Sequence, residues 1–138
     1  MALTAAAALV AAPGCVTDGG PFTTPIGDTG VFYAEVEPVL TARCANPACH
    51  GSDDRPFELY AVGWHRADPE QDWRAEPLTP EERGQNLDRA SGFRLWPGLL
   101  WRKPLAVSAG GADHEGGVVF ADAHEADVRT LRQWSEAP

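Results

Sequence analysis

Methionine is almost missing from this chain: among 138 residues only Met1 carries a thioether. A site that needs methionine as a soft metal ligand would have to take it from an apolar leader, or do without. Long hydrophobic runs are missing too. The longest, Ala5 to Pro13, falls well short of the ~20 residues that a membrane-crossing helix needs. Positive charge is scarce, with 11 Lys and Arg against 20 Asp and Glu, and the formal net charge of −9 lies wholly beyond residue 14. That balance argues against a nucleic acid partner, whose phosphates call for a basic face. No G-x-S-x-G occurs, so a hydrolase built on a nucleophile elbow has no support. No internal repeat or heptad is visible. A length of 138 residues suits one domain.

What the chain does have is a tight cluster of chemistry at Cys44-Ala-Asn-Pro-Ala-Cys49-His50-Gly51. Two thiols followed at once by an imidazole form the acceptor for covalently attached haem, usually with a spacing of C-x-x-C-H. Each thiol adds to one haem vinyl as a thioether, and the next histidine is held beneath the porphyrin where it binds iron. Here the spacer is four residues. Two other readings use the same thiols. A Cys44–Cys49 disulfide would make a non-haem envelope lipoprotein with a structural or interaction role. A zinc-binding module would draw on Cys44, Cys49, His114 and His124, but nine residues separate its histidines where about three to five are usual.

Phe32, Val36, Val39/Leu40 and Cys44 recur at helical spacing, so one amphipathic helix delivers the first thiol on its apolar face. Pro38 lies inside that run, which predicts a kink or a helix start near Glu37-Pro38. The segment Phe32-Tyr-Ala-Glu-Val36-Glu-Pro38-Val39-Leu40-Thr-Ala-Arg-Cys44 resembles the opening of the small monohaem c-type cytochrome domains of bacterial envelope lipoproteins, F-x-x-x-V-x-P-V-L-x-x-x-C followed by C-H-G. Leu100 to Leu105, then His114-Glu115-Gly116-Gly117 through Phe120, and Leu131 with Trp134 resemble the same family's L-x-R-K-P-L, H-x-G-G-x-x-F and L-x-x-W. The resemblance covers most of residues 31 to 136. It implies a mainly α fold, a cytochrome c-like small helical domain around one haem c with long Gly/Pro-rich loops. It also implies electron transfer rather than enzymatic turnover, with peroxidase-like activity left open.

The leader fits an exported protein. Residues 1–14 are apolar and alanine-rich, and Ala12-Pro13-Gly14-Cys15 resembles a lipoprotein cleavage site at which Cys15 takes the lipid. Residues 15–30 read as a flexible tether of Gly, Pro, Thr and Asp, leaving 31–138 for the domain. The expected location is the periplasmic face of the cell envelope, with a membrane contact through the lipid anchor. The expected partner is a redox protein with a basic surface, toward which an acidic carrier is steered.

Farther along, 55–62 reads as an extended segment with Phe57 and Leu59 on one side, and 63–77 as loop. Thr79-Pro80-Glu81-Glu82 starts a helix that ends near Gly92, its thin apolar face of Leu87 and Ala90 suited to the surface. A short helix is expected over 98–102, a glycine-rich loop over 108–117, and a last helix capped by Asp122 with Val128, Leu131 and Trp134 on one face. The five Trp are expected in the core and in the haem-pocket walls. With so much Gly and Pro, the protein is expected to be loosely folded without its haem.

His50 is the expected proximal iron ligand. With Met1 in the leader, the opposite face falls to His114, His124 or His65, or stays open. His114 is preferred, because the resemblance places the distal ligand in a loop ahead of the last helix, and because flanking glycines let its backbone approach closely.

Overall fold

Asp28 opens the first helical run in the computed structural model, which describes residues 25–96 and 98–138. The leader and Cys15 lie outside the described residues. The Asp28 carboxylate accepts the Val31 amide at 2.9 Å and caps α1 (Thr29–Val31). A π-turn over Phe32–Val36 follows, then α2 (Glu37–Arg43). Pro38 accounts for the wider turn: it has no amide to donate and its ring crowds the preceding carbonyls, so widening the coil just ahead of it relieves the clash. The expected break at Glu37-Pro38 is thus absorbed without ending the helix. Phe32, Val36, Leu40 and Cys44 are all buried, as their spacing predicts.

The folded part begins ahead of residue 31. Gly27 is buried, and a Cβ there would stand 2.7 Å from the Trp134 ring. Trp134 in turn donates its indole N–H to the Asp28 carbonyl at 3.0 Å and packs 5.2 Å from the Phe32 ring.

In α3 (Pro80–Gly92) Thr79 and Glu82 form the expected capping box. The helix is not superficial, however. Glu82, Asn86 and Ser91 are buried beside Leu87 and Ala90, so its inner face is largely polar. Asn86 clamps the backbone of Tyr60, accepting its amide at 2.9 Å and donating to its carbonyl at 3.0 Å. That clamp takes the place of a strand partner. Leu59, Tyr60 and Ala61 are consequently buried in succession instead of alternating. No β-strand occurs among the described residues, only an isolated bridge between Leu105 and Phe120. The architecture is mainly α.

Arg66 is the largest fully buried side chain. Its Nε and Nη2 each donate to a Glu82 carboxylate oxygen at 2.9 Å, and the carbonyls of Glu76 and Pro77 accept at 3.2 Å. Burial works to raise the Glu82 pKa. The Arg66 guanidinium and the Thr79 and Ala67 amides outweigh it, holding the carboxyl at about 2. A carboxyl whose folded value is depressed stabilises the fold above its ordinary value of 4.5 and loses that contribution as pH falls from there toward 2. The shift corresponds to roughly 3 kcal/mol. We expect urea unfolding to show a stability drop of that order between pH 5 and pH 2. Arg66→Met should cost about 3–5 kcal/mol at pH 7, because it leaves Glu82 buried and unpaired. Superposable pH profiles for wild type and variant would show that the pair carries none of the acid sensitivity.

After Gly98, whose φ of 91° suits only glycine without strain, comes α4 (Leu99–Arg102). α5 (Ala126–Glu136) lies against α4 and the π-turn, with Val128, Leu131, Trp134 and Ser135 buried as expected. Its start differs from the sequence reading. Glu125 stands at the cap, and its carboxylate accepts the Ala121 and Asp122 amides, while Asp122 accepts the His124 amide at 2.8 Å. Residues 122–125 therefore close a separate turn before the helix begins. The tryptophans also depart from expectation. Trp64, Trp73 and Trp96 are exposed, Trp101 is half-buried and gives its N–H to Glu136, and only Trp134 belongs to the core.

Candidate haem-binding site

Cys44 caps the C-terminal end of the first helical run, its amide bonded to the Leu40 carbonyl at 2.9 Å. From there the four-residue spacer is folded back by Asn46. The Asn46 side chain accepts the Ala48 amide at 2.9 Å, and its carbonyl accepts the amides of Cys49 at 2.7 Å and Gly51 at 3.0 Å. The Asn-Pro pair is a turn former by chemistry, since the short amide mimics a backbone carbonyl. The His50 amide then reaches the Cys44 carbonyl at 3.1 Å and closes the loop. A spacer two residues longer than usual thus still returns Cys49 and His50 to the end of α2. Gly51 makes this possible: a Cβ there would stand 2.1 Å from the Ala45 carbonyl oxygen.

Both thiols are free. Cys44 is buried, and burial, with the neighbouring Cys49, pushes its pKa up to about 12, so it is a thiol at any ordinary pH. Cys49 lines a cavity of about 770 Å³ together with His50, Leu40, Phe57, Phe93, Leu99, Leu100 and His114. That volume is within the range of cofactor pockets, and the walls combine apolar surface with a few polar groups. None of the five tryptophans lines it.

His50 and His114 face each other across this cavity. Their ring centres are 6.0 Å apart and their planes differ by 19°. Two metal–imidazole bonds of about 2.0 Å, with about 1.1 Å from each nitrogen to its ring centre, together span roughly 6 Å. The centre-to-centre spacing of this stacked pair is of the length that two axial ligands of a single iron span. On His114, Nδ1 lies 3.0 Å from the Gly117 carbonyl, an assignment that puts the proton on Nδ1 and leaves the Nε2 lone pair free. On His50, Nδ1 is buried and unpartnered. Burial holds the His50 pKa below its ordinary value, and the positive charge available to His114 adds to this, while the nearby Phe57 main chain partly opposes it. The neutral imidazole, the form that binds metal, is the favoured one.

A Cβ at Gly116 would press to 2.9 Å from the His114 ring, so glycine there leaves room for that imidazole. At the mouth, Arg55 and Lys103 bring two cations and Asp113 and Glu115 two carboxylates. Cys49, the two imidazoles and the apolar volume suit one haem, while Cys44 is buried and does not line the cavity.

The other histidines do not reach the cavity. His65 Nε2 lies 2.8 Å from Glu58 and its ring rests on Tyr60 at 5.2 Å, and His124 is exposed on the turn before α5. Among the described residues no group of three or more His, Cys, Asp or Glu is gathered to hold a metal ion. The zinc set of Cys44, Cys49, His114 and His124 is therefore not assembled: His124 is exposed and does not line the cavity that Cys49 and His114 share. Comparison with protein-family models, with curated proteins and with solved structures finds no match to this chain.

Proposed function

We propose that this chain is a monohaem c-type cytochrome with a cytochrome c-like arrangement around its haem, and that it carries electrons rather than catalysing a reaction. The observation that carries the proposal is the pair of near-parallel imidazoles of His50 and His114, 6.0 Å apart across a cavity walled by Cys49. Cys44 and Cys49 would hold haem c by thioethers, His50 from the proximal side and His114 from the distal side. The bound haem supplies one-electron chemistry between its ferrous and ferric states. The residues of the chain supply the rest. Leu40, Phe57, Phe93 and Leu100 exclude water, His114 is oriented by Gly117, and no methionine raises the potential.

Cys15 as lipid anchor would hold the domain at the periplasmic face of the envelope. Asp113 and Glu115 at the cavity rim, within a chain of net charge −9, suit a redox partner with a basic surface. Exchange with that partner should then slow as salt rises.

Mass spectrometry and an absorption spectrum of protein exported by a haem-maturing host test the reading together. We expect one haem mass, retained after denaturation, and a six-coordinate low-spin spectrum, with the lipid mass on Cys15. A mass two hydrogens below the lipidated polypeptide, with no Soret band, would replace it with the Cys44–Cys49 disulfide lipoprotein.

A further inference from the structure

The two facing histidines are held in very different ways. His50 sits in the closed loop behind α2: its amide bonds Cys44, its carbonyl accepts the Leu59 amide at 2.7 Å, and buried Gly51 follows it. His114 instead rides on a strap. No residue from Gly111 to Val119 is buried, and Gly110 and Gly117 take left-handed φ values of 92° and 78°. The strap is fixed at its ends, by the Ala112 amide on the Arg102 carbonyl at 2.8 Å and the Val119 amide on Pro104 at 2.9 Å. Between those points the Lys103 ammonium holds it, donating to the Asp113 carbonyl at 2.7 Å in an exposed bond. The hydrogen bonds His114 makes with Gly117 stay within the strap and do not anchor it to the core.

Resting on the reading of His114 as distal ligand, we propose that the strap is displaceable and that the reduced protein binds a neutral diatomic ligand of the carbon monoxide type in the place His114 vacates. The exchange trades one dative bond for another and moves no electron or proton. One feature selects a neutral ligand: the inner walls are Leu40, Phe57, Phe93, Leu99 and Leu100, which give a charged ligand nothing to replace its water. Cys44, Cys49 and His50 remain in place throughout, so the haem stays attached while the distal side opens. Opening is a minor conformation drawn out by the ligand that binds it.

Stopped-flow mixing of the reduced holoprotein with carbon monoxide tests this. In wild type the rate should level off as carbon monoxide rises, because strap opening limits it. Lys103→Gln, which removes one exposed charge-assisted bond, should raise that limiting rate by roughly five- to tenfold. His114→Ala should bind with a rate linear in carbon monoxide. Hydrogen exchange should quicken at residues 111–118 on ligand binding and stay unchanged at 44–51. A wild type that forms no adduct over hours, beside a His114→Ala variant that does, would overturn the displaceable strap while leaving the proposed function standing. A Lys103→Gln limiting rate equal to wild type, or exchange that quickens equally in both segments, would also overturn it. A His114→Ala variant as low-spin and inert as wild type would instead remove His114 as the ligand, and the proposed axial pair with it.

Discussion

Gly51→Ala should abolish stable haem incorporation. The added methyl would lie 2.1 Å from the Ala45 carbonyl oxygen and 2.9 Å from its carbon, and both are backbone atoms. Ala45 cannot retreat, because it is fully buried and its amide is bonded to Leu40 at the end of α2. The clash must therefore open the loop that returns Cys49 and His50 to Cys44. Overpacking with backbone displacement costs about 3 kcal/mol or more. Haem content by mass and unfolding midpoint in urea both measure it. Gly84→Ala is the matched control: nothing lies within 4 Å of a Cβ at this position inside α3, so it should stabilise by about 0.5–1 kcal/mol. Wild-type haem content and midpoint in Gly51→Ala would mean that the loop does not depend on this close approach.

The parts legible in the sequence are those written in local patterns. Phe32, Val36, Leu40 and Cys44 announced a buried stripe at helical spacing, and Thr79, Pro80 and Glu82 announced a helix start, because caps and periodicity act within a few residues. His114 could be placed opposite His50 only through the resemblance and its glycine neighbours, since 63 residues separate them and no local rule spans that distance. Asn46 carried a turn signal in Asn-Pro that foretells the folded-back spacer. The Arg66–Glu82 pair and the Asn86 clamp on Tyr60 were not foreseeable. A charged residue in a loop and a polar one in a helix read as solvent-facing until tertiary packing pairs them, and the thin apolar face of α3 misled for the same reason. The start of α5 moved because Asp122 takes the His124 amide into a separate turn, while Glu125 holds the Ala121 and Asp122 amides and stands at the cap.

His114→Ala should turn a low-spin haem high-spin without releasing it. On the proposed reading the thioethers to Cys44 and Cys49 and the bond to His50 would not depend on the strap, and neither of the other histidines lines the cavity to replace the lost one. His65 is engaged by Glu58 and Tyr60, and His124 is exposed away from the cavity, so His65→Ala and His124→Ala should leave the spectrum as it is. Gly116→Ala should lie between these extremes. Its methyl would press to 2.9 Å from Cε1 of His114, turning the ring off its line with His50 without removing the nitrogen, and a mixture of spin states should result. Because a neutral imidazole is the stronger donor of the two usual distal ligands, the wild-type potential should lie below that of His/Met cytochromes. Spectra of both oxidation states, with a redox titration of wild type, read all of this. A His114→Ala protein that stays low-spin in both states would place the distal bond on another group and leave the 6.0 Å pairing of the two rings without a role in binding iron.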